Sequence, residues 1–182
     1  MCYSSAMNFA VVLGVWLASA SQGTIVVPQS IEELTQKSDV VVLGAVVGQE
    51  SKWSPDHQLI YTFVRIHVED ALKGTSDREI LVRRPGGTVG EIGQRVQGSA
   101  EFTLGERVLV FLSLLPTARP LFQLTGMAQG KLTLQEDNGV TQAVQDTRDL
   151  SFSKGGQVAH GGVVAMPLSN VLSRIKQAIG AH

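Results

Sequence analysis

The sequence predicts a mainly β fold with a short helix near its start and another at its end, and three observations lead there. Runs rich in Val, Ile and aromatic residues alternate apolar with polar positions or form short unbroken apolar stretches, both strand patterns. Nineteen glycines in 182 residues interrupt those runs while charged residues make up only 17% of the chain, a composition of many turns between short strands. Helical spacing of apolar residues is confined to the segments after Ser30 and after Pro167. A chain that is 43% hydrophobic is not a disordered one. With 15 Lys and Arg against 16 Asp and Glu, the net charge of −1 leaves no basic field to gather nucleic acid, so no nucleic-acid partner is expected.

The chain has no charged residue before Glu32, and an apolar run from Phe9 to Leu17 is followed by Ala18, Ser19 and Ala20. That run is too short to cross a bilayer core of about 30 Å as a helix. Residues 1–20 therefore read as a signal peptide with cleavage after Ala20, with Met7 an alternative start because no Lys or Arg precedes the apolar run. The expectation is export to the periplasm or the extracellular space, with residues 21–182 forming the mature domain. Cys2, the one cysteine, falls inside the removed segment. The mature chain would then hold no disulfide, no cysteine nucleophile and no Cys-based zinc site.

Ser30-Ile31-Glu32-Glu33 is a capping box, and a short helix is expected to about Lys37. Residues 39–48, Asp-Val-Val-Val-Leu-Gly-Ala-Val-Val-Gly, read as a strand buried on both faces, with Gly44 marking a bulge. Residues 49–58, with Pro55-Asp56, read as a loop. From 59 to 71 the alternation is regular: Ile60, Thr62, Val64, Ile66 and Val68 take one face, and Tyr61, Phe63, Arg65, His67 and Glu69 the other. Further strands are expected over 78–84, 106–112, 121–125, 131–135 and 140–144, with Asn138-Gly139 forming a type I′ hairpin turn between the last two. Residues 147–162 are polar and glycine-rich and read as a loop. Leu168, Val171, Leu172, Ile175 and Ile179 lie on one helical face, with Gly180 as terminator. After residue 20 no apolar run is long enough for a membrane-spanning helix.

Chemistry-bearing patterns are sparse. The run Pro85-Gly86-Gly87-Thr88-Val89-Gly90 lacks the lysine, hydroxyl and following helix of a phosphate cradle, and reads as a β connection. His57, His67, His160 and His182 show no metal-ligand spacing, so neither a metal nor another cofactor is expected. A site assembled from His57 or His160 with Asp56 is the enzymatic alternative. The stronger candidate is the outward stripe Tyr61, Phe63, Arg65, His67 and Glu69, whose side chains project at intervals of about 7 Å and could hold a peptide strand, a sugar or a base. Its bland counterpart places Tyr61 and Phe63 beneath the C-terminal helix, with the three charged groups as a surface ladder. Arg83, Arg84 and Arg95 flank the glycine run and form either an anion patch or ion pairs with Glu91 and Glu101.

The blocks Ser38-Asp39-Val40-Val41-Val42-Leu43-Gly44, Glu69-Asp70-Ala71-Leu72-Lys73-Gly74 and Gly105-Glu106-Arg107-Val108-Leu109-Val110-Phe111-Leu112, then Gly126-Met127-Ala128-Gln129-Gly130-Lys131, stand in a recognisable order. In them the chain resembles small exported bacterial proteins of unassigned activity, similar to netrin-like or tissue-inhibitor-of-metalloproteinase-type OB-fold barrels. The resemblance implies an OB-like Greek-key β-barrel and a protease or another extracellular protein as partner. The sequence departs from the animal inhibitors in having no N-terminal cysteine after Ala20 to approach a metal. The expected function is an exported, non-catalytic binding module with a protein partner in the envelope or outside the cell. The alternatives are an inhibitor-like or chaperone-like partner of a secreted hydrolase, and the enzyme built on loop histidines and carboxylates.

Overall fold

A computed structural model describes residues 24–74 and 77–181, so the expected signal peptide and Cys2 lie outside the described residues. The chain enters as β1 (Thr24–Val26) and turns into α1 (Ile31–Lys37). The capping box forms as expected: the Ser30 amide donates to Glu33 Oε2 at 2.8 Å and the Glu33 amide to Ser30 Oγ at 3.2 Å. The long strands β2 (Val40–Trp53) and β3 (Ile60–Lys73) follow, then β4 (Glu79–Pro85), the small hairpin β5 (Gly87–Val89) and β6 (Ile92–Gln94), and β7 (Arg107–Leu114) and β8 (Phe122–Leu124). A 3-10 turn at Met127–Gly130 leads to β9 (Lys131–Asp137) and β10 (Val140–Asp146). The chain ends with β11 (Leu150–Lys154), β12 (Gln157–His160), β13 (Val163–Pro167) and α2 (Leu168–Gly180).

Five of these strands close a barrel in the order β7, β2, β3, β4, β8 and back to β7. The closure has two seams. Val82 of β4 pairs in parallel with Phe122 of β8, and Leu112 to Leu114 of β7 pair antiparallel with Phe122 to Leu124. Numbered along the chain, the five run 1-2-3-5-4, so the chain forms an OB-like Greek-key barrel with a helix on each side of it in sequence. The first half of β7 pairs with β9, and the sheet continues outward through β10 to β13. Asn138 and Gly139 join β9 to β10 with φ of 49° and 79°, the two positive angles of a type I′ turn.

β2 and β7 explain why their sequences are apolar at consecutive positions. Val40, Val42, Val46, Val108, Val110 and Leu112 point into the barrel, where they meet Val64, Ile66, Ile80, Val82 and Phe122. Val41, Leu43, Leu109 and Phe111 point outward and are covered by Ile31 and Leu34 of α1 and Val171 and Ile175 of α2. Each such side chain contributes about 1.5–3 kcal/mol by leaving water. The two helices are tied by Arg174, whose Nε and Nη2 each donate to a Glu32 oxygen at 2.6 Å. β2 bends around the barrel through register shifts at Val41/Val42, Leu43/Gly44 and Val46/Gly48. Gly44 is required there, because a Cβ would run into the His67 carbonyl oxygen of β3.

Four expectations are corrected. Residues 49–53, taken as loop, extend β2, and the turn is confined to residues 54–59, closed by the Ser54 amide donating to the Leu59 carbonyl at 2.7 Å. Residues 147–162 are not an irregular loop: β11 and β12 form a hairpin, and β11 pairs in parallel with β1. Their period was hidden because β12 is exposed on both faces, while of β11 Leu150 is fully buried in the barrel core beside a buried Ser151. β13, also unforeseen, is an edge strand with Val163 and Val164 half exposed. Finally, α2 does not lie over Tyr61 and Phe63; the residue of β3 that joins its cluster is Leu72, at the far end of the strand. No helix among the described residues is long and apolar enough to cross a membrane.

Candidate functional site

Tyr61, Phe63, Arg65, His67 and Glu69 do project from one face of β3, and the register of its neighbours shows what stands beside each. Across β2, β3 and β4 the rows read Lys52, Tyr61, Pro85; then Glu50, Phe63, Arg83; then Gly48, Arg65, Leu81; then Ala45, His67, Glu79. Residues paired in this way point to the same side of the sheet. The stripe divides in two. Glu69 is taken up by Arg107, which donates from Nη2 at 2.7 Å and from Nε at 3.1 and 3.2 Å, so it belongs to a surface ion pair. Tyr61, Phe63 and Arg65 remain on an open face, with Arg83 and Leu81 added from β4.

The arginines of this face have no ion-pair partner among the described residues. The Arg83 guanidinium lies 4.6 Å from the centre of the Tyr61 ring, a contact worth about 0.5–1 kcal/mol at a partly open site. Its N–H edges make no hydrogen bond or ion pair among the described residues. Arg65 is exposed and likewise has no carboxylate partner among them. Its guanidinium lies over Gly48, where an added Cβ would stand 2.6 Å from Nη2 and 2.9 Å from Nε. The bulge at Val46/Gly48 and the missing side chain together make the space it occupies. On one flank of Arg65 is a hollow of about 570 Å³ lined by Glu50, Lys52, Phe63 and Leu81 among others, and on the other a hollow of about 310 Å³ bounded by Leu81, Pro120 and Phe122. A third hollow of about 280 Å³ lies by Tyr61, Arg83, Leu124 and Met127. Lys52 is paired with Glu50 at 2.9 Å, so the uncommitted positive charge is that of Arg65 and Arg83.

The three arginines that flank the glycine run face three ways. Arg83 joins the open face. Arg84 points inward with its side chain only 10% exposed, bonded through Nη2 to Glu101 at 2.8 Å while its Nε has no partner. Arg95 pairs with Asp149 at 2.7 Å, not with Glu91. A polar cleft of about 520 Å³ beside Arg95 carries many charges, but they are matched: Arg95 with Asp149, Arg148 with Asp146 and Lys131 with Glu106. Hydrogen bonding to Arg148 holds the Asp146 carboxyl below its ordinary range, and the same contact raises Arg148.

The histidines of the enzymatic alternative sit in separate settings. His57 occupies the turn between β2 and β3 with a φ of 56°, its ring 6.1 Å from that of Trp53. The neighbouring Asp56 is held below its ordinary range by hydrogen bonds from the Ser54 hydroxyl and the Gln58 amide, so it is a turn-closing acceptor. His160 stands on β12 opposite Ser151, with Nδ1 3.4 Å from the Ser151 hydroxyl. Among the described residues no group of three or more His, Cys, Asp or Glu is placed to hold a metal ion.

Arg83 and Leu81 are the residues of this face not singled out with the β3 stripe. The alternation that buries Ile80 and Val82 already turns Leu81 and Arg83 outward. What sequence spacing lacks is the cross-strand register that sets Arg83 opposite Phe63 and Leu81 opposite Arg65. Against known proteins, the sequence matches no family model and no curated relative.

Proposed function

We propose that the protein is an exported, non-catalytic binding module that engages a protein partner in the envelope or extracellular space through the outer face of β2, β3 and β4. The observation that carries this reading is the pair Arg65 and Arg83, set among Tyr61, Phe63 and Leu81 with no carboxylate paired to either among the described residues. A guanidinium seated on an aromatic ring, as Arg83 is on Tyr61, keeps its edge donors free, and that fork matches carboxylates in a bidentate geometry. Aromatic and arginine side chains grouped at the centre of a surface are the composition of binding hot spots. An OB-type barrel offers the face of its second and third strands to ligands, and β3 and β4 are those strands here. The apolar run before Ala20 and the resemblance to exported netrin-like barrels support the compartment.

The test is site-specific photo-crosslinking in envelope and culture fractions, with the crosslinker placed at Phe63, at Leu81 and, as control, at Thr141 on β10. The expected result is one adduct of defined mass from the two β3–β4 positions, absent from Thr141 and abolished by Arg65→Ala with Arg83→Ala. Adducts that form equally at Thr141, or that persist in the double variant, would refute it.

A further inference from the structure

We propose that the hollow where β4 parts from β8 is a binding site for a carboxylate carried on a compact apolar body; the site adjoins the outer face of β2, β3 and β4 and does not depend on that face engaging a protein. The two strands share one pair, Val82 with Phe122. Beyond it β4 runs on to Arg83, Arg84 and Pro85 and β8 to Gln123 and Leu124, and the hollow of about 280 Å³ is lined by both strand ends together with Tyr61, Ser99, Ala100 and Met127. The Ser99 hydroxyl donates to the Pro85 carbonyl at 2.8 Å, which ties the wall at residues 99–100 to the end of β4. Leu124 and Met127 pack against the barrel core and give the hollow an apolar, anchored side.

The charge of the lining points to an acid. Each of the other three hollows described above includes carboxylates: Glu50 in the first, Asp77 and Glu79 in the second, Glu101, Asp146 and Asp149 in the polar cleft. This one is lined by two arginines and by no Asp or Glu. Arg83 stacks on Tyr61, and its edge donors have no partner among the described residues. The Arg84 side chain is only 10% exposed, its Nε has no acceptor, and its partner Glu101 is 70% exposed, so the buried guanidinium is weakly compensated. A buried donor without an acceptor calls for a reason, and a position kept only for packing loses nothing by carrying an apolar side chain. An anion in the hollow supplies the missing negative charge. The free edge of Arg83 receives the carboxylate, Arg84 adds positive charge from within the low-dielectric wall, and Leu124 and Met127 take the apolar body. The volume lies just below the usual range for drug-sized ligands, so that body is a few carbons and not a lipid chain.

The experiment is a backbone amide NMR titration of the protein with isovalerate, its uncharged analogue isovaleramide, acetate, and acetyl-Gly-Gly-Val with a free or an amidated C-terminus. The expected result is saturable shifts at Arg83, Arg84, Ala100 and Leu124 with isovalerate, and affinity about tenfold lower or worse for isovaleramide, as loss of charge-assisted bonds requires. Acetate, which lacks the apolar body, should also bind about tenfold more weakly. Arg83→Ala should weaken isovalerate about tenfold at unchanged Tm. Gln123→Glu, at an exposed position, adds a carboxylate to the lining and should weaken it several-fold, again at unchanged Tm. Arg84→Met should weaken binding several-fold while Tm holds or rises, a combination that an arginine with a purely structural role would not give. Tighter binding of the free-acid peptide than of isovalerate assigns the carboxylate to a chain terminus, and the reverse order assigns it to a free acid; either upholds the site. Equal binding of isovaleramide, no saturable shifts at this lining with either acid, or unchanged binding in both Arg83→Ala and Arg84→Met would each overturn the proposal.

Discussion

Replacing Arg84 by methionine should leave the barrel as stable as before or more so, although it removes a salt bridge. The Arg84 side chain is 10% exposed while its partner Glu101 is 70% exposed, so one charge is buried and the other stays in water. The guanidinium donates to Glu101 from Nη2 at 2.8 Å and from Nη1 at 3.4 Å, the latter long, and its Nε is buried with no acceptor. An orphaned buried donor costs about 1–3 kcal/mol. An ion pair with so exposed a carboxylate returns about 1 kcal/mol. Methionine keeps an unbranched apolar stem of similar reach and carries no donor, so Arg84→Met should change stability by about 0 to +1.5 kcal/mol, while Glu101→Gln, which leaves the buried guanidinium weakly paired, should cost about 1 kcal/mol. Urea unfolding of both variants and the double variant, followed by tryptophan fluorescence and far-UV circular dichroism, measures the set as a thermodynamic cycle. The reasoning is refuted if Arg84→Met destabilises by more than about 2 kcal/mol while Glu101→Gln is neutral, because Arg84 would then be held by a group other than Glu101.

Three further outcomes follow from the same geometry. The Glu32 carboxyl is drawn from 4.5 down to about 2, chiefly by its hydrogen bonds from Arg174. A depressed carboxyl stabilises the fold above its unfolded value and loses that contribution as pH falls toward 2; with both side chains 39% exposed, screening reduces it to about 1 kcal/mol, so the urea midpoints of wild type and Glu32→Gln should differ at pH 7 and converge by about pH 2. Leu34→Ala empties a position with no solvent exposure on the inner face of α1 and should cost about 2–5 kcal/mol in urea unfolding. Gly44→Ala forces a methyl against the backbone of β3, which cannot swing aside as a side chain can, and should cost about 2 kcal/mol or more, in contrast to a near-silent Gly48→Ala in the same thermal melt.

The strands whose burial is periodic were legible in the chain, and those whose burial is not were missed. β3 alternates between the barrel interior and its outside, and its boundaries and faces follow from that alone. The consecutive valines of β2 read as buried on both faces because one side meets the barrel and the other the helices. β12 offers no such contrast: its four residues are all exposed, so hydrogen bonding to β11 holds it with no apolar pattern to betray it. The same limit applied to the site. Spacing placed Tyr61, Phe63, Arg65, His67 and Glu69 on one face, yet Glu69 is consumed by Arg107, which lies on β7, and Arg83 arrives from β4. Contacts between strands distant in the chain depend on register, which a one-residue slip would invert and which local sequence does not encode.

The position of the open face follows from how the barrel is covered elsewhere. The outward residues of β7 and of the first half of β2, Leu109, Phe111, Val41 and Leu43, are apolar and demand a cover, which α1 and α2 supply. Beyond the bulge at Val46/Gly48 the outward positions of β2 become Glu50 and Lys52, and those of β3 become Arg65, Phe63 and Tyr61. The change from Val and Leu to charged and aromatic residues along one continuous strand marks where covering ends and exposure begins. Phe63 and Tyr61 are nonetheless large apolar bodies left only half buried, and Arg65 and Arg83 have no carboxylate partner among the described residues. A face evolved only for solubility has no need of either, since Lys and Glu in paired rows would serve it at lower cost in exposed apolar area. The bulge therefore does two things at once: it ends the helix-covered surface, and it leaves at Gly48 the space in which Arg65 lies ready.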